Sequence, residues 1–180
     1  MGRRWFSEMR GLWHRARAHG WVRQVMDVAL VALVFAAVMA WQTRHLPTGA
    51  PAPDFTLRTL SGEQVRLSEL RGKPVVLALW APWCGVCEVE SSTLSALRGT
   101  VGDSAHVLSV AVAYEDEEDV RRFAREHAVD YPVLLGDEAL RRDFRVEQFP
   151  TTFFVSSEGR LERAAVGYTT RLGLLWRMWL

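Results

Sequence analysis

Cysteine is nearly absent from this chain. There are two in 180 residues, and both lie in one motif, Trp80-Ala81-Pro82-Trp83-Cys84-Gly85-Val86-Cys87. All thiol chemistry must therefore come from that motif. No histidine follows Cys87; Glu88 stands there instead, which excludes covalent haem attachment of the C-x-x-C-H type. Nor is there an excess of charge: 22 basic residues face 21 acidic ones, so the whole chain carries no nucleic-acid footprint. Charge, proline and glycine are all missing from Val28 to Trp41.

That uncharged run sits behind a basic segment. Residues 1–25 carry Arg3, Arg4, Arg10, Arg15, Arg17 and Arg23 against only Glu8. From Trp21 to Trp41 a helix rises about 30 Å, the thickness of a hydrocarbon core. The tryptophans at both ends fit an aromatic belt, and the arginines predict a cytoplasmic N-terminus. Asp27 lies near the basic end, within reach of headgroups. Val38-Met39-Ala40 also resembles a cleavage site, so a signal peptide stays open as the alternative to an anchor. Trp5, Phe6, Met9, Leu12 and Trp13 recur at helical spacing among arginines, which fits either an interfacial helix or a cytoplasmic tail. Pro47, Gly49, Pro51 and Pro53 read as an extended tether. The expected organisation is a basic cytoplasmic segment over 1–21, a transmembrane anchor or signal peptide over 22–42, a tether over 43–53 and a folded domain over 54–180.

Within the domain, Phe55-Thr56-Leu57, a Ser61-Gly62 turn and Val65-Arg66-Leu67 predict a hairpin. Pro74–Trp80 is an apolar run of the kind found in buried strands. The helix after it, over 84–98, places Cys87, Ser91, Leu94 and Leu97 on one face. A second buried strand is expected over His106–Ala113. Val120, Phe123, Ala124 and His127 then mark a helix, whose acidic start and basic end match the helix dipole. A short strand is expected at Val133-Leu134-Leu135 and a short helix around 138–144. Thr152–Val155 and Arg160–Val166 form a terminal hairpin. In the tail, Leu172, Leu175, Trp176 and Trp179 recur at helical spacing and are expected to pack on the sheet, with membrane contact as the other reading. Strands alternating with helices before a hairpin predict an α/β fold with a mixed sheet. Strand, short loop and C-x-x-C at a helix start is a redox arrangement.

These motifs resemble the thioredoxin superfamily over residues 50–180, and within it the membrane-anchored TlpA/ResA/CcmG-like branch. The resemblance rests on Ala52-Pro53-Asp54-Phe55-Thr56-Leu57 with Gly62 and Leu67–Pro74, on the cysteine motif, on Phe149-Pro150-Thr151-Thr152-Phe153, and on Ser157-Glu158-Gly159-Arg160. The ending Gly167-Tyr168-Thr169-Thr170 is similar to the ScsD-like disulfide oxidoreductases. The resemblance implies a thioredoxin-like sheet flanked by helices behind an N-terminal transmembrane helix. It implies an enzyme, a thiol–disulfide oxidoreductase, acting outside the cytoplasm on protein cysteines. It implies Cys84 as attacking thiol and Cys87 as resolving thiol. Phe149, Pro150 and Trp83 would contact substrate, with Pro150 in the loop that bears the family's cis-proline, and Trp80 and Pro82 would support the site. No cofactor is implied beyond a redox-active Cys84–Cys87 disulfide, and no metal. Partners would be extracytoplasmic protein thiols and a membrane electron donor, with the domain in the periplasm and a single pass through the inner membrane. Cytochrome c biogenesis and copper tolerance are the roles this branch implies.

The departures from the family pattern carry information too. Many thioredoxins hold a buried Asp where this chain has Ala78. Gly85-Val86 lacks the proline common before the second cysteine. Glu88 stands where a basic residue is frequent, and a nearby carboxylate opposes thiol ionisation, so Cys84 is expected to be only moderately acidic. Glu90 matches a family glutamate but is equally explained as helix capping and surface charge. Three other functions compete. A thiol peroxidase would carry Pro and Thr where this chain has Leu77 and Ala81. Copper or zinc handling could use the two cysteines, although His106 and His127 fall inside a strand and a helix. A non-catalytic docking module would have no need of an intact C-x-x-C.

Overall fold

The computed structural model describes residues 3–179, with side chains described from Trp21 onward except those of Met39 and Gln42. It divides into two compact units, Met1–Gln42 and Thr43–Leu180. The first is formed by a single helix, α1 (Arg3–Thr43), whose last residue opens the second unit. Its window Trp21–Val38 is long and apolar enough to cross a membrane, and none of that window is buried. Trp21, Leu30 and Phe35 are all exposed. Such a surface demands an apolar surrounding, because water cannot solvate it cheaply. The readings of Trp5, Phe6, Met9, Leu12 and Trp13 concern side chains outside those described.

The second unit is built on seven strands: β1 (Thr56–Thr59), β2 (Gln64–Arg66), β3 (Val75–Trp80), β4 (His106–Ala111), β5 (Val133–Leu135), β6 (Thr151–Val155) and β7 (Leu161–Val166). The sheet order is β2-β1-β5-β4-β3-β6-β7. β3, β4 and β5 are parallel, because the crossover helices α2 (Gly85–Val101) and α3 (Glu117–Glu126) connect them. β6 and β7 form the expected antiparallel hairpin beside β3. β1 and β2 form the other, paired antiparallel to β5. α4 (Glu138–Asp143) and α5 (Arg171–Trp179) complete the unit. The mixed sheet flanked by helices is the expected fold class.

β3 shows how the sheet sorts its side chains. All six of its residues are buried, and successive residues go to opposite faces. Val76, Ala78 and Trp80 join a core with Leu94 and Leu97 of α2, Val120 and Phe123 of α3, and Leu174 and Met178 of α5. Val75, Leu77 and Leu79 join the other core, with Phe55, Leu140, Phe144 and Phe153. Gly136, at the end of β5, cannot be replaced without movement. A Cβ there would stand 2.6 Å from Val110 Cγ1.

Two stretches differ from expectation. In α5 the fully packed residues are Leu174 and Met178; of the expected four, Leu175 is partly buried against the same core, while Leu172, Trp176 and Trp179 are exposed. The helix is apolar on both sides, so spacing alone does not choose the inward one. The stretch 43–53 is also not free. Leu46 is buried, Gly49 N–H donates to Leu161 O at 2.6 Å, Leu161 N–H donates to Ala50 O, and Ala52 N–H donates to Gly159 O. The open edge of β7 supplies unpaired backbone groups, and this segment takes them up despite its prolines.

Candidate active site

Cys84 sits between β3 and α2, as the N-cap of the helix. Its backbone is extended, and its Sγ accepts a hydrogen bond from Cys87 N–H at 3.2 Å. Gly85 opens the helix, so Cys87 lies on its first turn. Cys84 and Cys87 are joined by a disulfide, with Cα atoms 5.3 Å apart. Free N–H groups and the helix dipole at this end stabilise negative charge on sulfur.

The two cysteine residues differ little in exposure, at 7% for Cys84 and 4% for Cys87. What separates them is the cleft. Cys84 lines a cleft of about 750 Å³ with Trp83, Val86, Arg141, Gln148 and Phe149, and Cys87 does not. Trp83 is 70% exposed. Its indole N–H donates to Ala113 O at 2.8 Å, and its ring packs edge-on against Phe149 at 5.7 Å. One wall of the cleft is therefore a fixed apolar corner. Pro150 is buried directly after Phe149, and the Phe149–Pro150 peptide bond is cis. Pro82 and Trp83 line a second cleft, with Glu115, Asp119, Asp137, Glu138 and Arg122. Trp80 points away from the cleft. Its ring stacks on Phe123 at 4.1 Å, and its indole N–H donates to buried Ser109 Oγ at 3.0 Å.

Glu90 is the residue whose setting sequence reasoning missed. It is not a surface charge: only 1% is exposed. It shares the buried face of α2 with Cys87, Ser91, Leu94 and Leu97. The i, i+3 spacing from Cys87 places the two side chains about 5–6 Å apart at their Cβ atoms. Thr152 Oγ1 donates to Glu90 Oε2 at 3.4 Å, and Oε1 has no partner. Burial raises its pKa to about 7, against the weaker opposing hydrogen bonds from the Thr169 backbone and the Thr152 hydroxyl. Thr152 is also the strand partner of Ala78. The carboxyl missing from β3 is thus delivered to the same neighbourhood from α2. The signal was in the spacing, since Glu90 falls on the helical face that Cys87, Leu94 and Leu97 define. Tyr131 is buried nearby, and desolvation with the Glu90 charge raises its phenol pKa. Glu88, in contrast, is exposed on the first turn of α2.

Such a site can exchange electrons with a disulfide or dithiol placed in the cleft. Among the described residues, no group of three or more His, Cys, Asp or Glu side chains could hold a metal ion.

Comparison with known proteins agrees with this chemistry. Residues 48–164 match the model of the AhpC/TSA family. The chain is 34% identical over 125 residues to the thioredoxin-like protein YneN of Bacillus subtilis, covering 68% of this chain and 74% of that one. It is 30% identical over 159 residues to the thiol–disulfide oxidoreductase ResA of Geobacillus kaustophilus, covering 83% and 90%. Among solved structures it is similar to the exposed lipoprotein thioredoxin of Streptococcus pneumoniae, with a TM-score of 0.65 at 27% identity over 70% of this chain and 98% of that one. The sheet described above is the thioredoxin-like fold.

Proposed function

The chain belongs to the AhpC/TSA family, and from that premise we propose that it exchanges disulfides with protein cysteines outside the cytoplasm, anchored by α1 in the inner membrane. It is a thiol–disulfide oxidoreductase by its relatives. The observation that carries the site assignment is the asymmetry of the cysteine pair. Cys84 opens onto the cleft, and Cys87, which shares the buried face of α2 with Glu90 three residues on, does not. The arginines ahead of Trp21 support a cytoplasmic N-terminus, and hence an extracytoplasmic domain.

In the reducing direction, the Cys84 thiolate attacks one sulfur of a partner disulfide. That S–S bond breaks, a mixed disulfide forms on Cys84, and one partner thiolate leaves. Cys87 then gives its proton to Glu90 and attacks Cys84 Sγ. The second partner thiolate departs and the Cys84–Cys87 disulfide closes. Two electrons pass from the cysteine pair to the partner. The reverse sequence oxidises a partner dithiol, and the potential of the partner sets the direction. A membrane thiol carrier would return the electrons for reductive work. Glu90 suits proton exchange because a pKa of about 7 leaves both forms populated near neutrality. Phe149, Pro150 and Trp83 would bed the partner segment, and Trp80 and Pro82 would hold the loop. The reaction needs no cofactor beyond the disulfide itself.

A peroxidase reading finds no support at the corresponding positions. Leu77 and Ala81 are buried apolar side chains and place no hydroxyl beside Cys84.

The experiment is a Cys87→Ala variant in whole cells. It should accumulate partners as mixed disulfides on Cys84. Identification of those partners decides between cytochrome c maturation, copper tolerance and other roles. If nothing accumulates and the wild type exchanges with no model dithiol, the proposal fails.

A further inference from the structure

α5 buries Leu174 and Met178 against the sheet, yet its outer side is equally apolar. Leu172 is 75% exposed, Trp176 64% and Trp179 58%. Spacings of four and three residues put them in one row along the helix. Packing inside the domain does not account for this row. α5 itself contains Arg171 and Arg177 and no acidic residue, and Arg171 is exposed beside the row, while Glu158 and Glu162 of the terminal hairpin line a pocket with Trp179 at the row's far end.

We propose that this outer face of α5 rests in the interfacial layer of an anionic phospholipid bilayer. Tryptophan suits that layer, with an apolar ring for the acyl region and an N–H for the wet side. Arginine beside it meets lipid phosphate and the negative surface potential. The membrane as occupant is argued from the chain itself. Only Arg44 and His45 separate the end of α1 from Leu46, the first buried residue of the second unit. A domain tethered so shortly to a bilayer meets it at high effective concentration, so a contact of three side chains suffices. A second copy of the chain is a poorer fit, because one row of three side chains falls short of the roughly 800 Å² that each partner of a stable complex buries. The proposal rests on reading α1 as a membrane anchor.

The test uses the full chain, oxidised at Cys84–Cys87, in vesicles containing anionic phospholipid. A nitroxide is attached to a cysteine introduced, one variant at a time, at Leu172, at Phe35 in α1 and at exposed Thr100. Collision rates with oxygen and with a water-soluble nickel complex are then compared. The label at position 172 is expected to favour oxygen several-fold over the label at 100, to lie shallower than the label at 35, and to lose that preference when Trp176 and Trp179 are both changed to Ser. If position 35 is in the bilayer but 172 matches 100, the α5 proposal is overturned and the anchor stands. If 172 is in the bilayer and 35 is not, the anchor reading fails while the α5 contact holds. If neither enters, both fail. Strong spin–spin broadening between 172 labels, with shielding from both reagents, assigns the face to a second copy and overturns the proposal.

Discussion

The two faces of the sheet are built from alternate residues of the same strands, yet they do different work. On one, the central strands contribute Val75, Leu77, Leu79, Leu108, Val110 and Phe153, and the neighbours are Phe144 and Leu140. On the other, the same strands present Ala78, Trp80, Ser109 and Thr152, and α2 adds Cys84, Cys87 and Glu90. A carboxyl group with one unpartnered oxygen costs free energy to bury. The first face stabilises the fold, and the second gives up some of that stability to hold reactive groups away from water. The contrast can be broken or sharpened one residue at a time.

The largest effect is expected on the reactive face. Cys84→Ala should abolish exchange with a small model disulfide, followed by thiol release. Its stability in urea should fall below that of the reduced wild type by only about 1 kcal/mol, the cost of losing the N-cap sulfur that accepts from Cys87 N–H. On the opposite face, Phe153→Ala should cost about 3–5 kcal/mol of stability, as a fully buried aromatic ring leaves a cavity. At a temperature where the variant remains folded, its exchange rate should be that of the wild type. A large rate loss there would show that the faces are not separate.

Glu90→Gln is next, and its effect depends on pH. The carboxyl has a reference pKa of 4.5 and a folded value of about 7. The folded state therefore binds the proton more tightly. Stability is fully present below pH 4.5 and is lost as pH rises through about 7. The rise from 4.5 to about 7 corresponds to roughly 3 kcal/mol. Glutamine lacks this loss, so the variant should exceed the wild type by about that amount at pH 8 and converge with it near pH 4.5, read by urea unfolding across pH. The smallest effect is at Ser109→Ala. It leaves the buried indole N–H of Trp80 without its acceptor, for about 1–2 kcal/mol, with no change in exchange rate.

Much of this was legible in the sequence, for reasons visible in particular residues. Val75–Trp80 reads as a buried strand because every residue in it is apolar. The Cys84–Cys87 spacing gives a helix start because strand and amphipathic face flank it. Glu90 is a different matter. Its spacing marks the buried face, but burial of a carboxyl there depends on Thr152 and Thr169, distant in the chain. In α5 the binary pattern is satisfied by either side, and only the shape of the core selects Leu174 and Met178. The run 43–53 has no periodicity to read, and its pairing follows from the open edge of β7. In each miss, the deciding partner lies far away in sequence.

The central claim is that Glu90 exchanges protons with the cysteine pair behind the cleft. The most direct measurement is the pH dependence of single-turnover reduction of a model disulfide by the reduced protein, wild type against Glu90→Gln. The account predicts an inflection near pH 7 in the wild type that disappears in the variant, with the variant slower above it. Superimposable profiles would contradict it.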